Sequence, residues 1–347
     1  MSELAAVSKA VSPNEGTVPP VGPPLLQVSG LNVSLGPLPV LHDVSFTVRA
    51  GERVGIIGES GSGKSVTALA VIGLLPEEMT ADGEVRLDGE NLLAASERRL
   101  SALRGRRLSM VFQEPMSALN PLMRVGRQVA EVLRVHQGLS RRAARVRAAD
   151  LLARVGLDQP QQQARAFPHQ LSGGQRQRVM LAIAIACGPA LILADEPTTA
   201  LDVTVQARVL ALLDDIVAAG RTALVLISHD LAVVAGACER LLVMYGGRVV
   251  EAGPTAGLLT APRHPYTAGL VATSAAVSPD RRRDGRALPA IGGTVPELGA
   301  FGAGCVFRSR CDQATDACGE APSLVGGAHQ FACWHPVGGT EGGSDER

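Results

Sequence analysis

The amino-acid sequence predicts an α/β protein: a parallel sheet with helices on its faces, joined to an antiparallel β region and to a helical region. Three observations predict it. After Gln177, helices alternate with short apolar strands, and that alternation implies parallel strands with crossover helices packed on them. Before Asp88, short apolar segments are separated by Gly and Pro turns, as antiparallel strands are. Between the two, the stretch from Gly126 to about Gly156 carries a helical pattern.

In chain order, Leu25 to Val28, Val44 to Val48 and Glu84 to Leu87 read as antiparallel strands. Arg53 to Ile57 differs from them. It is a short apolar run that feeds a Gly-rich loop and then an apolar helix from about Lys64 to Leu75, which makes it a buried strand. In the second half of the helical stretch, Ala144, Ala148, Leu151, Leu152 and Val155 share one face and Arg residues crowd the other, with Ser140 capping the start and Gly156 the end. A helix to Ala186, a strand from Ala190 to Ala194, a helix from Val203 to Ala218 and a strand from Ala223 to Ile227 follow. Arg240 to Tyr245, Gly246-Gly247 and Arg248 to Glu251 read as a closing hairpin. Beyond Pro254 the composition turns to Gly, Pro, Arg and Cys, the mark of a separate appendage. No internal repeat is present, so the chain carries one such unit.

At 347 residues and 46% hydrophobic content the chain can bury a large core. Its 33 basic and 33 acidic residues cancel, so no global field draws it to nucleic acid or anionic lipid. The uncharged run from Val179 to Ala194 is broken by Gly188 and Pro189 and is too short for a spanning helix, which needs about 20 apolar residues. The N-terminus has Glu3 and a Pro-rich stretch where a signal peptide would need a positive end and an apolar core, so a cytosolic chain with a loose segment at residues 1–24 is expected. In that reducing compartment the six Cys are poor disulfide candidates.

Gly58-Glu59-Ser60-Gly61-Ser62-Gly63-Lys64-Ser65 lies between a predicted strand and a predicted helix and reads as a phosphate-binding P-loop. The glycines let backbone N–H groups turn inward, the helix presents its positive end, Lys64 reaches the outer phosphates and Ser65 holds Mg²⁺. Leu191 to Glu196 is a buried strand ending in two carboxylates. There Asp195 suits a water-mediated ligand to Mg²⁺, and Glu196, one residue further out, is placed to polarise an attacking water. Ser172, Gly173, Gly174 and Gln175 open a helix and make a second anion site. One nucleotide needs only one such site from each subunit, so a dimer is expected in which each P-loop is completed by the partner's Ser-Gly-Gly turn.

Taken with Gln113, Ala200-Leu201-Asp202 and His229, these segments resemble the ABC ATPase family, in the family's order and over roughly Leu25 to Gly253. The resemblance implies a P-loop NTPase core in three parts (parallel sheet with helices, antiparallel β subdomain, helical subdomain at about 115–178) spanning residues 25–253. It implies that Gln113 binds Mg²⁺ and reports nucleotide state, that Asp202 lies across the dimer interface, and that His229 contacts the terminal phosphate. The chain departs from the family in one respect: Leu31 to Ser45 lacks the aromatic residue that usually stacks on adenine. Leu35 or His42 takes its place on this reading, and weak discrimination between ATP and GTP follows, since stacking on a base is worth about 1–3 kcal/mol.

Val111 to Pro121 (Val-Phe-Gln-Glu-Pro-Met-Ser-Ala-Leu-Asn-Pro), His264-Pro265-Tyr266-Thr267 and the Cys-bearing tail are similar to the ATPases of dipeptide, oligopeptide and nickel importers. That branch implies an ATPase at the cytoplasmic face of the inner membrane, under two membrane-spanning permease subunits fed by an extracytoplasmic binding protein. A second ABC ATPase, related or identical, completes the pair. Peptide import is the first expectation and nickel or another small solute the alternative. A soluble ABC ATPase acting on nucleic acid or ribosomes is the remaining rival, disfavoured by the single ATPase unit and the balanced charge, so no nucleic-acid partner is expected. The small C-terminal extension spans 254–340, with a tail at 341–347. Within it Cys305, Cys311, Cys318 and Cys333 are separated by five, six and fourteen residues, without the C-x-x-C pairs of common zinc sites. Four thiols in a Gly-rich segment with little core argue for a cross-linking metal centre. The similar tails of some importer ATPases hold an iron-sulfur cluster, so 4Fe-4S is the first expectation and Zn²⁺ the second, with free thiols in a surface loop as the remaining reading. Cys187 and Cys238 lie in or beside apolar helical segments and read as small core residues. The Arg281-Arg282-Arg283 run reads as a solvated linker.

Overall fold

A computed structural model describes residues 23–198, 203–219, 222–276 and 290–338. Expectations placed on residues 1–22, on Ala200, Leu201 and Asp202, on Arg281 to Arg283 and on the tail at 341–347 lie outside the described residues.

The strands are β1 (Leu26–Leu35), β2 (Leu38–Val48), β3 (Arg53–Ile57), β4 (Met79–Leu87), β5 (Glu90–Asn91), β6 (Leu108–Val111), β7 (Leu191–Asp195), β8 (Ala223–Ser228), β9 (Arg240–Tyr245), β10 (Arg248–Pro254), β11 (Val325–Gly326) and β12 (Gln330–Phe331). Four of them form an antiparallel sheet in the order β2-β1-β4-β5, and the other eight form the central sheet in the order β11-β12-β10-β9-β3-β8-β7-β6. From β9 to β6 neighbouring strands run parallel. These strands are apolar throughout because each faces two cores. Leu191 and Leu193 of β7 pack with Val54, Ile56 and Val225 on the side of the antiparallel sheet, while Ile192 and Ala194 pack with Leu224 and Leu226 on the other. Burying a Leu or Ile side chain in this way contributes about 1.5–3 kcal/mol.

The principal helices are α1 (Lys64–Ile72), α2 (Glu97–Leu103), α3 (Pro115–Ala118), α4 (Val125–Gln137), α5 (Arg141–Arg154), α6 (Pro160–Gln163), α7 (Gly173–Ile185), α8 (Val203–Ala218), α9 (Leu231–Ala237), α10 (Thr255–Thr260) and α11 (Pro265–Ala276). The helix expected to Leu75 ends three residues earlier, where Gly73 takes φ 69° and donates its N–H to the carbonyls of Ala70 and Leu69. The single helical stretch expected from Gly126 to Gly156 is two helices, because Gly138 ends α4 at φ 65° and Ser140 starts α5 by accepting the N–H of Ala143. The closing hairpin forms as its sequence requires. Gly246 and Gly247 have φ of 53° and 76°, and Tyr245 pairs directly with Arg248, which makes a two-residue turn that side chains with a Cβ rarely adopt.

The segment after Pro254 does not stand apart. Strand β12 adds to β10, pairing Phe331 with Glu251 and Gln330 with Ala252, so the extension continues the central sheet. Tyr266 and Phe307 join the same core as Ile192 and Leu226. The Gly-, Pro- and Arg-rich composition concealed this because the joining contacts come from a few residues. The chief joint is Glu251, whose side chain is 0% exposed. Its carboxylate accepts the backbone N–H groups of Arg263 at 2.7 Å and His264 at 2.8 Å, and meets Nε2 of His329 at 2.6 Å.

His264 is buried, and its Nδ1 accepts the N–H of Tyr266 at 3.1 Å. Burial disfavours the imidazolium and pushes its pKa from 6.5 down to about 4. Between those values the unfolded chain holds a proton that the folded chain does not. The stability from neutral His264 is therefore complete above pH 6.5 and is lost as pH falls toward 4, about 3 kcal/mol in all. Urea titrations across this range should show that loss in the wild type and a smaller one in His264→Asn, which keeps an acceptor and does not titrate.

Candidate functional site

Four adjoining parallel strands deliver the singled-out residues to one end of the sheet, their carboxyl ends, where open α/β sheets bind ligands. Gly58 follows β3, His229 follows β8, Asp195 and Glu196 stand at and just past the end of β7, and Gln113 comes two residues after β6.

The loop from Gly58 to Ser65 folds tightly. A Cβ on Gly58 (φ 155°) would fall 2.2 Å from the Met244 carbonyl oxygen, so only glycine fits there. At Gly61 (φ 81°) a Cβ would meet nothing within 4 Å, so that residue is required for its backbone conformation alone. Ser62 donates its N–H to the Glu59 carbonyl at 3.2 Å, and Ser60 is exposed beside Gly61. Gly63 (φ 97°) leads into α1, whose first residue is Lys64. The Lys64 ammonium donates to the carbonyls of Gly58 at 2.7 Å and Glu59 at 2.9 Å. Burial lowers its pKa, opposed by the charges of Glu196, Asp195 and Glu59.

Asp195 is 4% exposed. Burial raises its pKa, which the Ser65 hydrogen bond and Lys64 oppose and Glu196 reinforces. Its Oδ1 is buried with no hydrogen-bond partner among the described residues. An orphaned carboxylate oxygen costs about 1–3 kcal/mol or more. A carboxylate with one lone oxygen, beside the Ser65 hydroxyl, suits a Mg²⁺ site.

Glu196 is where the site closes. Its side chain is 11% exposed. Gln113 Nε2 donates to its Oε2 at 3.1 Å, and His229 Nδ1 lies 3.1 Å from its Oε1. The residue sits at φ 45°, left-handed for a non-glycine, and its N–H is held by the Ile227 carbonyl at 2.9 Å. Such conformations cost about 1–3 kcal/mol and cluster at functional sites. Here the turn aims the carboxylate at the ends of both neighbouring strands.

Ser172, Gly173, Gly174 and Gln175 form the start of α7. Ser172 Oγ accepts the Gln175 N–H at 3.3 Å and Gln175 Oε1 accepts the Ser172 N–H at 2.8 Å, a capping box that shapes the turn. Ser172 and Gly173 are exposed, and α7 packs on α4 and α5. Leu35 closes β1 opposite Leu38 and Met79, and His42 lines a cavity of about 400 Å³ with Arg248, His264 and Cys305. Burial and Arg248 lower the His42 pKa.

The extension brings Cys305, Cys311, Cys318 and Cys333 toward one another. Burial raises the thiol pKa of Cys305, of Cys311 and of Cys333 (to about 11); neighbouring thiols raise all three further, and Cys333 feels the other three. Cys305 also donates its N–H to the Cys318 carbonyl at 3.0 Å. Yet no group of three or more His, Cys, Asp or Glu among the described residues is arranged to hold a metal ion. Cys238 is buried in the core, as its apolar setting implies, and Cys187 is half-buried near the Val132 carbonyl.

Two residues far along the chain also brace the loop. Glu59 donates its N–H to the Tyr266 hydroxyl at 2.8 Å, and its carboxylate pairs with Arg310. Tyr266 belongs to the His264-Pro265-Tyr266-Thr267 segment that carries the importer resemblance, and nothing local distinguishes Arg310 from the other arginines.

A P-loop at the carboxyl end of a parallel sheet, with an Asp-Glu pair on the next strand but one and a helix-opening Ser-Gly-Gly turn, defines an ABC-type nucleotide-hydrolysing cassette. Residues 41–199 match the family model described as ABC transporter, and residues 250–318 match that of the oligopeptide/dipeptide transporter C-terminal region. The chain is 46% identical to the probable D,D-dipeptide transport ATP-binding protein DdpD of Escherichia coli over 90% of its length and 97% of that protein's. It is 43% identical to the oligopeptide transport ATP-binding protein OppD of Salmonella typhimurium, covering 90% of this chain and 94% of that one. Among solved structures it is similar to the dimeric post-hydrolysis state of the ATP-binding cassette MJ0796 bound to ADP and Pi, with TM-score 0.60 and 30% identity over 66% of this chain and 98% of that one. The chain belongs to the ABC transporter ATP-binding proteins, in the branch with the oligopeptide/dipeptide transporter C-terminal region, and is an ATPase.

Proposed function

We propose that this ATPase energises import of di- or oligopeptides from the cytoplasmic face of the inner membrane, beneath two permease subunits and paired with a second ABC ATPase. The observation that carries the mechanism is the meeting of Gln113 and His229 on the Glu196 carboxylate, at the end of the sheet that also holds Lys64 and Asp195. Among the described residues no helix is long and apolar enough to cross a membrane. Similarity to a probable D,D-dipeptide transport protein and to an oligopeptide transport protein, together with the matched C-terminal region, supports peptide as cargo.

In this reading Lys64 and the loop from Gly58 to Ser65 hold the outer phosphates, and Ser65, Asp195 and Gln113 would hold Mg²⁺, which would supply neutralisation of charge on the phosphate oxygens. Glu196 takes a proton from the attacking water, His229 orients against the terminal phosphate, and ADP leaves as the bond to the γ-phosphoryl group breaks. The Ser172 to Gln175 turn, exposed at Ser172 and Gly173, completes with Asp202 the site of the other ATPase subunit. Closure is favoured because ATP binds the closed dimer better than the open one, and Gln113 passes the change to the permease. Isolation of the chain from detergent-solubilised native membranes, with partners identified by mass spectrometry, should yield two multi-spanning permeases and a peptide-type binding protein. A nickel-type binding protein would change the cargo, and recovery only in the soluble fraction would overturn the transport role.

The four converging thiols support a finer reading, a 4Fe-4S cluster in the extension with Zn²⁺ as the alternative. Their present arrangement would have to draw together to ligate either. Iron and labile sulfide near zero in anaerobically purified protein would remove the cluster.

A further inference from the structure

The extension reaches the Glu59 carboxylate of the phosphate loop through the side chain of Arg310. Arg310 immediately precedes Cys311 in the short turn Arg308–Arg310, and its side chain is 4% exposed. Its guanidinium forks onto the Glu59 carboxylate, Nη1 to Oε2 at 2.5 Å and Nη2 to Oε1 at 3.2 Å. The fork is held in orientation by further bonds: Nη1 donates to the Tyr245 hydroxyl at 3.2 Å and Nε to the Gly292 carbonyl at 2.7 Å. The guanidinium also lies 5.7 Å from the Tyr245 ring centre and 5.9 Å from that of Phe307. A second tether comes from Tyr266, whose hydroxyl accepts the Glu59 N–H.

This setting is specialised in composition as well as geometry. Aromatic residues make up 3% of the chain, yet both of its tyrosines and two of its six phenylalanines gather here. Tyr245 lies 4.8 Å from Tyr266 and 5.2 Å from Phe307, between ring centres. The cluster therefore fixes both the backbone and the carboxylate of one loop residue. That residue stands beside Ser60 and Gly61, and its carbonyl already receives the Lys64 ammonium at 2.9 Å. Left unpaired, the Glu59 carboxylate would compete for Lys64 and repel the phosphates that the loop receives, and in a partly buried site such repulsion is weakly screened.

We propose that Arg310 is a positioning residue of the nucleotide site: by holding and neutralising Glu59 it keeps the phosphate loop open to a nucleoside triphosphate, so the C-terminal extension sets nucleotide affinity. This rests on the reading of Gly58 to Ser65 as the phosphate loop. Because Arg310 adjoins Cys311, any change that moves the thiol cluster acts on the loop through the same fork.

The test measures MgATP binding to the full-length protein by calorimetry, together with kcat and KM for ATP. Arg310→Ala should raise Kd and KM by about tenfold or more while kcat at saturating ATP stays within about twofold, the effect of losing a charge-assisted fork and leaving its anion unpaired. Adding Glu59→Gln to Arg310→Ala should recover most of the lost affinity, because the anion that repels the phosphates is gone. Loosened packing would not be repaired by that second change. Should Arg310→Ala fail to fold, Arg310→Gln is compared with its Glu59→Gln double variant in the same way. Unchanged ATP affinity in the single variant, or no recovery in the double one, overturns the proposal. Absence of MgATP binding by the wild type would instead sink the reading of the loop on which it rests.

Discussion

Glu196→Gln lowers ATP turnover by about 10²–10⁴-fold, the usual contribution of a positioned general base, while MgATP binding and dimer closure are retained. The substitution isolates the chemistry well. Gln has the same size and branching as Glu, is no less tolerant of φ 45°, and still hydrogen-bonds toward Gln113 and His229. What it lacks is a carboxylate able to accept a proton from water, the role proposed for Glu196. Phosphate release under single-turnover conditions, set beside ATP binding by the same preparation, reads both halves of the expectation. Turnover equal to the wild type would remove Glu196 from the role of base. Lys64→Ala acts on the other half and weakens binding itself, because Lys64 is the cation of the loop, surrounded by Glu59, Asp195 and Glu196.

The largest expected loss of stability follows Glu251→Ala, about 3–5 kcal/mol, because each buried donor left without its acceptor costs about 1–3 kcal/mol. The carboxylate is fully buried and serves two backbone N–H groups and the His329 ring. Its removal strands all three donors and opens a cavity between β10 and the extension. Urea unfolding of the purified variant measures the change. A loss below about 1 kcal/mol would mean that water replaces the carboxylate, and the joint would then be ordinary surface. Because Arg263 and His264 lead directly into α11, the same variant should also loosen Tyr266 against the phosphate loop.

The parts of the fold legible in the sequence are those coded by neighbours in the chain. Strand, Gly-rich loop and helix around Gly58 to Ser65 are contiguous, and the closing hairpin is written in Gly246-Gly247. Helix α8 has the bounds its pattern predicts, Val203–Ala218. Short elements escaped notice for a physical reason: β6 has four residues and α9 and α10 are under two full turns, too little for a period to declare itself. The candidate site divides in the same way. Lys64, Asp195 and Glu196 are legible because phosphate and metal chemistry demand those residue types in a fixed order. The Arg310 to Glu59 pair spans 251 residues and could not be read locally, and neither could the docking of β12 on β10, because nothing near either partner in the chain marks the other.

That docking has a consequence for solubility. Edge strands with unpaired backbone groups invite other chains to add to them, and proteins blunt them by keeping them short. The central sheet ends in two-residue β11 on one side and four-residue β6 on the other. Without the extension, the open margin would be β10, a seven-residue strand buried at all its interior positions. The extension therefore acts as a selvedge, the finished border that keeps woven cloth from unravelling, and a chain cut after Pro254 would offer its bare margin to every other copy in solution.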